Sequence, residues 1–206
     1  VRQFLRLDSD NLCEVDYKNL QPFLSLAIFN EDWNTDNLDN KLDKNLKATF
    51  SNCNGLNDMI SEDVIDYIET ILDGKFYEEF MKITGIKDRG EAKVETLRVL
   101  FSSNYHQFEY KDLFKKRFPT VMKKFSQIKK GKTHNKLAIL LQSMESYIML
   151  TLVTDRIAEE YPMIDLISIH DSFLCKPEYS LIVQKIMNEE MTKFIGVEPI
   201  TTIKYL

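Results

Sequence analysis

Apolar and polar residues alternate with period two from Leu12 to Tyr17 (LCEVDY), which predicts a short strand ending near Asp16. The next stretch, Asn19 to Asn30, is nearly all apolar and reads as a helix, with Pro22 in its first turn where proline is tolerated. Asn34 to Asn57 is polar and rich in asparagine, and predicts one short helix within loops. Helical patterning then dominates. Ser61 is placed to cap SEDVIDYIETIL, KFYEEFMKIT stops at Gly85, Asp88 caps a helix running to Phe101, and Pro119 opens a helix ending at Gly131. From Asn135 to Tyr161, Leu137, Leu140, Leu141, Met144, Ile148 and Leu152 recur at helical spacing, which predicts the longest helix of the chain. Met163 to Ile169 is β-rich, and His170-Asp171-Ser172 breaks it before Phe173 to Lys176 continues extended. That pattern is a hairpin with Asp171 at its tip. A helix from Pro177 to Ile195 ends at Gly196, and a strand over 200–206 closes the chain. One early strand, a helical middle and late strands predict an α+β fold, mostly helical, in which sequence-distant strands meet in one small antiparallel sheet.

Composition agrees with a folded chain. Of 206 residues 44% are hydrophobic and 29% charged, with only six glycines and five prolines, so disorder is excluded. Cys13, Cys53 and Cys175 are odd in number and widely spaced, which speaks against a disulfide framework or zinc site and for a reducing, cytoplasmic setting. The sequence shows no uninterrupted apolar run of about 18 residues, so no membrane association is expected. The chain opens on Val1 with VRQFLRL, which reads as mid-domain sequence and predicts a piece of a longer polypeptide. The net charge of -5 argues against nucleic-acid binding, yet Lys111 to Lys136 holds ten basic residues and one acid, Asp112. Such a run is either a solvated helix face or a local phosphate-neutralising surface.

The candidate chemistry begins with two aspartates. Phosphoryl transfer requires little covalent help from a protein; it requires Mg²⁺ held between carboxylates and a triphosphate. Mg²⁺ takes oxygen ligands and keeps waters, so two carboxylates on rigid elements suffice. Asp16 at a strand end and Asp171 at a hairpin tip could meet if their strands pair. On spacing alone the signal is weak, and they read more readily as local hydrogen-bonding turn residues.

The wider pattern adds a resemblance. DYKNLQ, Asp16 to Gln21, resembles the first palm motif of family A DNA polymerases, and Ile169-His170-Asp171-Ser172 resembles the second. Arg89, Lys93, Leu97 and Phe101, at steps of four, resemble the fingers-helix motif of that family. Val1 to Phe4 resembles the segment entering the palm, FKKRFPTVMKKF (114–125) the segment after the fingers helix, and Gln142 a glutamine that reaches the primer–template. The resemblance implies palm parts at 1–33 and 135–206 around a fingers-like insertion at 34–134. It implies two Mg²⁺ ions on Asp16 and Asp171 with the backbone carbonyl of Tyr17, and a triphosphate on Arg89 and Lys93. Gln21, Leu97 and Phe101 would shape the nucleotide pocket, while Arg2, Gln142 and His170 would hold the primer–template. DNA replication in a phage or mobile element, with dNTPs as substrates and a thumb or exonuclease-like region upstream, is the expected setting. The sequence departs from the family at Gln21, where glutamate is usual, at Leu97, Phe101 and Ser102, at Ala138, where asparagine is usual, and at Ser172. HDSF (170–173) also resembles phage-type single-subunit RNA polymerases, and a nucleic-acid-binding module with decayed chemistry is a third reading.

Overall fold

The computed structural model describes residues 5, 7, 10–29, 61–130 and 135–206. The fold is α+β, mostly helical, with one four-stranded antiparallel sheet. The chain divides into two compact units, Val1–Leu20 with Met144–Leu206, and Gln21–Ser143. The polar stretch at 34–57 and Gly131 lie outside the described residues.

The first unit contains the sheet. β1 (Cys13–Tyr17), β2 (Ile167–Ile169), β3 (Ser172–Cys175) and β4 (Thr201–Tyr205) run in the order β2-β3-β1-β4. β1 pairs with β3 in the register Cys13↔Cys175, Val15↔Phe173 and Asp16↔Ser172, and with β4 from Cys13↔Tyr205 to Tyr17↔Thr201. Alternation gives β1 two unlike faces. Cys13, Val15 and Tyr17 share one, and the Tyr17 hydroxyl donates to the Met187 carbonyl at 2.6 Å. Met187 lies in α9 (Ser180–Ile195), so this is the helix-covered face, and all three residues are buried. Glu14 and Asp16 point the other way. Two sequence-based boundaries shorten. The β-rich run from Met163 yields a strand only over Ile167–Ile169, because three residues suffice to pair with β3. Pro177–Tyr179 forms a 3₁₀ turn ahead of α9, which ends on Gly196 in the left-handed region (φ 93°).

The long helix is present and divided. α7 (Lys136–Tyr147) passes through a π-helical segment, Ile148–Val153, into α8 (Thr154–Glu160). The Thr154 hydroxyl donates to the Met149 carbonyl at 2.7 Å, occupying an acceptor that the widened turn displaces. By length and composition alone this helix could cross a membrane. Burial is one-sided: Leu137, Leu140, Leu141, Met144 and Ile148 are buried, while Ile139, Gln142 and Leu150 are exposed, as in a helix that packs by one face. Arg156 of α8 reaches α9 through Glu189 and Glu190, both at 2.7 Å, and pairs with Glu160 at 2.8 Å.

The second unit is helical. α1 (Leu20–Leu24) tightens into a 3₁₀ turn at Ser25–Phe29, so the predicted apolar helix exists as two short pieces. α2 (Glu62–Leu72), α3 (Phe76–Thr84), α4 (Arg89–Phe101), α5 (Glu109–Arg117) and α6 (Pro119–Ile128) follow. Gly85 (φ 78°) ends α3 and the Asp88 carboxylate accepts from the Glu91 N–H at 2.8 Å, both as the sequence predicts. The predicted cap at Ser61 takes another form. Its hydroxyl donates to Asp63 at 2.7 Å, and Asp63 in turn accepts from the Thr120 N–H at 2.7 Å, so a side chain of α2 caps α6. At the core, Tyr67 is ringed by Phe29, Phe76, Phe114, Phe118 and Phe125 with centroids 5.4 to 6.3 Å away. The Ser25 hydroxyl donates to the Pro22 carbonyl, so the Tyr67 hydroxyl donates to Ser25 at 2.8 Å.

Two outcomes test this packing. Tyr67→Ala removes the shared ring and is expected to lower the unfolding free energy in urea by about 4 kcal/mol. Tyr67→Phe loses one hydrogen bond and is expected to cost only about 1 kcal/mol. Burial works against the Glu190 carboxylate, but bonds from Lys193 and Arg156 outweigh it and hold its pKa below 4.5. Its contribution is therefore present above the ordinary carboxylate pKa and lost as pH falls through the lowered one. Glu190→Gln should melt below wild type at neutral pH, with the gap closing as the solution is acidified below 4.5.

Candidate active site

The sheet brings the two aspartates to neighbouring strands. β2 and β3 form a hairpin in which Ile169 faces Ser172, leaving His170 and Asp171 as the two turn residues. His170 has φ 52°, the positive value that tight hairpin turns require at their first central position. Asp171 immediately precedes Ser172, and Ser172 is the direct partner of Asp16. The pairing continues into the turn, where the Tyr17 N–H donates to the Asp171 carbonyl at 3.4 Å. Directly opposed side chains lie about 5 Å apart in such a pair, so an offset of one residue keeps both aspartates at one end of the sheet. Asp16 and Asp171 are each partly exposed and His170 is exposed.

The positions around them are fixed by buried contacts. Burial, with the Glu190 charge adding to it, pushes the Tyr17 phenol far above its usual range, so this side chain is a neutral anchor to α9. Tyr17 therefore has only its backbone to offer a site. Ser172, where family A polymerases carry a carboxylate, is fully buried. Its hydroxyl donates to Glu14 at 2.9 Å and also lies 3.0 Å from the Ile169 carbonyl. Glu14 is not part of the resembling motif. The two-residue period of LCEVDY is the signal that places it on the face of Asp16.

Of the other expected site residues, all but Arg2 belong to the second unit. Arg89, Lys93, Leu97 and Phe101 share one stripe of α4, beside the buried stripe of Ala92, Thr96, Val99 and Leu100. Arg89 and Lys93 are exposed, and Leu97 and Phe101 are half-buried. Arg89 pairs with Glu78 at 2.8 Å and lies 5.1 Å over the Tyr77 ring. Both partners of that ion pair are about half exposed, so it holds Arg89 only weakly. Gln21 is half-buried in α1 and Gln142 is exposed on α7. Arg2 lies outside the described residues.

The donor set suits a hard cation that arrives with a ligand. Among the described residues no group of three or more His, Cys, Asp or Glu side chains could enclose a metal ion. A pair of carboxylates is instead what Mg²⁺ commonly takes from protein when phosphate oxygens and waters complete its shell.

Ser172→Ala tests the buried contact beside the aspartates. It removes a hydrogen-bond donor from a buried carboxylate and is expected to cost about 2 kcal/mol in a urea titration. An unchanged midpoint would show that Glu14 does not depend on it.

No family model matches the chain, and no curated protein does. Among solved structures, the POL domain of Pol1 from M. smegmatis, in complex with DNA primer-template and dNTP, aligns with it at 11% identity and a TM-score of 0.46. That alignment covers 100% of this chain and 41% of the other, so the chain spans less than half of the structure it matches.

Proposed function

We propose that this chain is the catalytic portion of a template-directed nucleotidyltransferase related to family A DNA polymerases. The observation that carries the reading is the β1–β3 register, in which Asp16 opposes the residue after Asp171. Two motifs that resemble the palm motifs of that family, 155 residues apart, thereby become neighbours on one sheet. The ordered fingers-type stripe on α4 supports it further. In this reading Asp16 and Asp171 present carboxylate oxygens, and Tyr17 its backbone carbonyl, to two Mg²⁺ ions. When bound, these ions would neutralise developing charge and align the reacting phosphate. Arg89 and Lys93 bind the triphosphate of the incoming nucleotide, and Gln21, Leu97 and Phe101 shape its pocket. His170, Gln142 and Arg2 contact the primer–template.

The test is Mg²⁺-dependent primer extension by the natural polypeptide that carries this chain, with dNTPs and NTPs assayed side by side. Asp16→Asn and Asp171→Asn are each expected to slow extension at least about a hundredfold, roughly 3 kcal/mol of transition-state stabilisation. Lys93→Ala should mainly raise the KM for nucleotide. Extension unaffected by either aspartate substitution would refute the assignment. Ser172, in place of the usual carboxylate, favours the RNA-polymerase alternative, which extension with NTPs alone would establish.

A further inference from the structure

A cavity of about 470 Å³ opens on the second unit, against α5, α6 and the loop joining α4 to α5. Its wall carries Lys111, Lys115, Lys123 and Lys130 against one carboxylate, Asp112, on a chain whose net charge is -5. Pro119 and Met122 add apolar surface. A concave, cationic wall with an apolar floor suits a ligand that is both anionic and flat-faced.

The loop at its edge is held firmly. Lys129 is buried and donates to the carbonyls of Leu100 and Ser102, both at 3.1 Å, where α4 ends. Lys111 donates to the carbonyls of Ser103 and His106 at 2.7 and 2.8 Å, so its role is to brace the loop. The Asn104 amide donates to the Ser126 carbonyl at 2.8 Å, and Arg98 lies 4.4 Å over the Phe108 ring. Between these anchors Tyr105 is 87% exposed, although Asn104 and Gln107 on either side of it line the cavity. A loop whose backbone is already braced has less freedom to lose when the exposed ring it carries meets a ligand, which favours binding.

We infer that this groove binds single-stranded nucleic acid, with Lys115, Lys123 and Lys130 against its phosphates and Tyr105 stacked on an unpaired base. Several lysines on one wall, with an exposed aromatic ring at its edge, suit a strand of phosphates and bases better than one isolated anion. The exposed ring selects the single strand, because a duplex offers no free base face along its length. None of these residues belongs to the proposed catalytic set, so the inference adds a second contact with nucleic acid and does not depend on turnover.

The experiment is fluorescence anisotropy of a labelled oligothymidylate, and of a blunt duplex of equal length, titrated with the intact protein over a range of KCl concentrations. Lys115→Ala with Lys130→Ala should weaken single-strand binding and flatten the dependence of log affinity on log salt by about 1.4, two contacts at roughly 0.7 each. Tyr105→Ala should weaken single-strand binding about tenfold and leave duplex binding unchanged. All three side chains project from the surface, and circular dichroism would verify that the variants fold. An unchanged salt slope in the lysine variant would overturn the inference. So would equal single-strand affinity of Tyr105→Ala and wild type, or displacement of the strand by inorganic tripolyphosphate at equal charge. Asp16→Asn should bind as wild type. Extension untouched by Asp16→Asn, with the Tyr105 and lysine effects on binding present, would therefore sink only the catalytic reading, and absent binding effects with extension still dependent on Asp16 only this one.

Discussion

The antiparallel register of β1 against β3 is the constraint on which the candidate site depends. Cys13 opposes Cys175 with their sulfurs 3.6 Å apart, Val15 opposes Phe173, and all four are buried. A slip of one residue would turn every side chain of β1 to the opposite face. Val15 and Tyr17 would leave the apolar side of the sheet, the bond from Tyr17 to Met187 would break, and Asp16 would face α9. The hydrophobic face thus excludes the adjacent registers and favours the pairing in which Asp16 stands beside the His170-Asp171 turn. Ser172 and Glu14 add a polar contact on the other face, so the pairing is held from both sides.

The helical unit solves a different problem, which is to present many lysines on a stable framework. α5 and α6 contribute Phe114, Phe118 and Phe125 to the cluster around Tyr67 and turn most of their cations outward. Lys124 is buried, and the remaining exceptions are Lys111 and, just past α6, Lys129. These last two are turned inward onto carbonyl groups at and beyond the end of α4, where the helix leaves acceptors without N–H partners. Burial, reinforced by the charge of Lys111, brings Lys129 down to about 8. Two buried cations thus brace the loop of Tyr105 while their neighbours make a cationic surface on an acidic chain.

Much of the fold was legible in the chain. Period-two alternation marked β1, and glycines past the helix ends marked Gly85 and Gly196, where a left-handed backbone ends the helix. Asp88 announced α4 because its short carboxylate reaches the Glu91 N–H. Legibility failed where tertiary contacts decide. The run from Met163 is β-rich over seven residues, yet only three have a partner strand. Ser61 has the right type and place for a cap, but its hydroxyl turns to donate to Asp63 and accepts from no N–H of the helix. α5 gave no apolar stripe, since its buried residues are Lys111 and Phe114. For the site, the motif residues were readable as types in order, whereas Glu14 emerged only from its contact with Ser172.

What the sequence determined by itself is local: which segments are helix or strand, where they stop, and that Asp16 ends a strand while Asp171 sits in a tight turn. Backbone propensity, capping and side-chain periodicity act over a few residues, so they can be read without a fold. The tertiary structure decided what lies next to what. Asp16 and Asp171 are 155 residues apart, and no local rule makes them neighbours. Burial of Cys13, Val15 and Tyr17 against the partners that β3 and α9 provide does so, because a one-residue slip would turn those side chains away from their partners together.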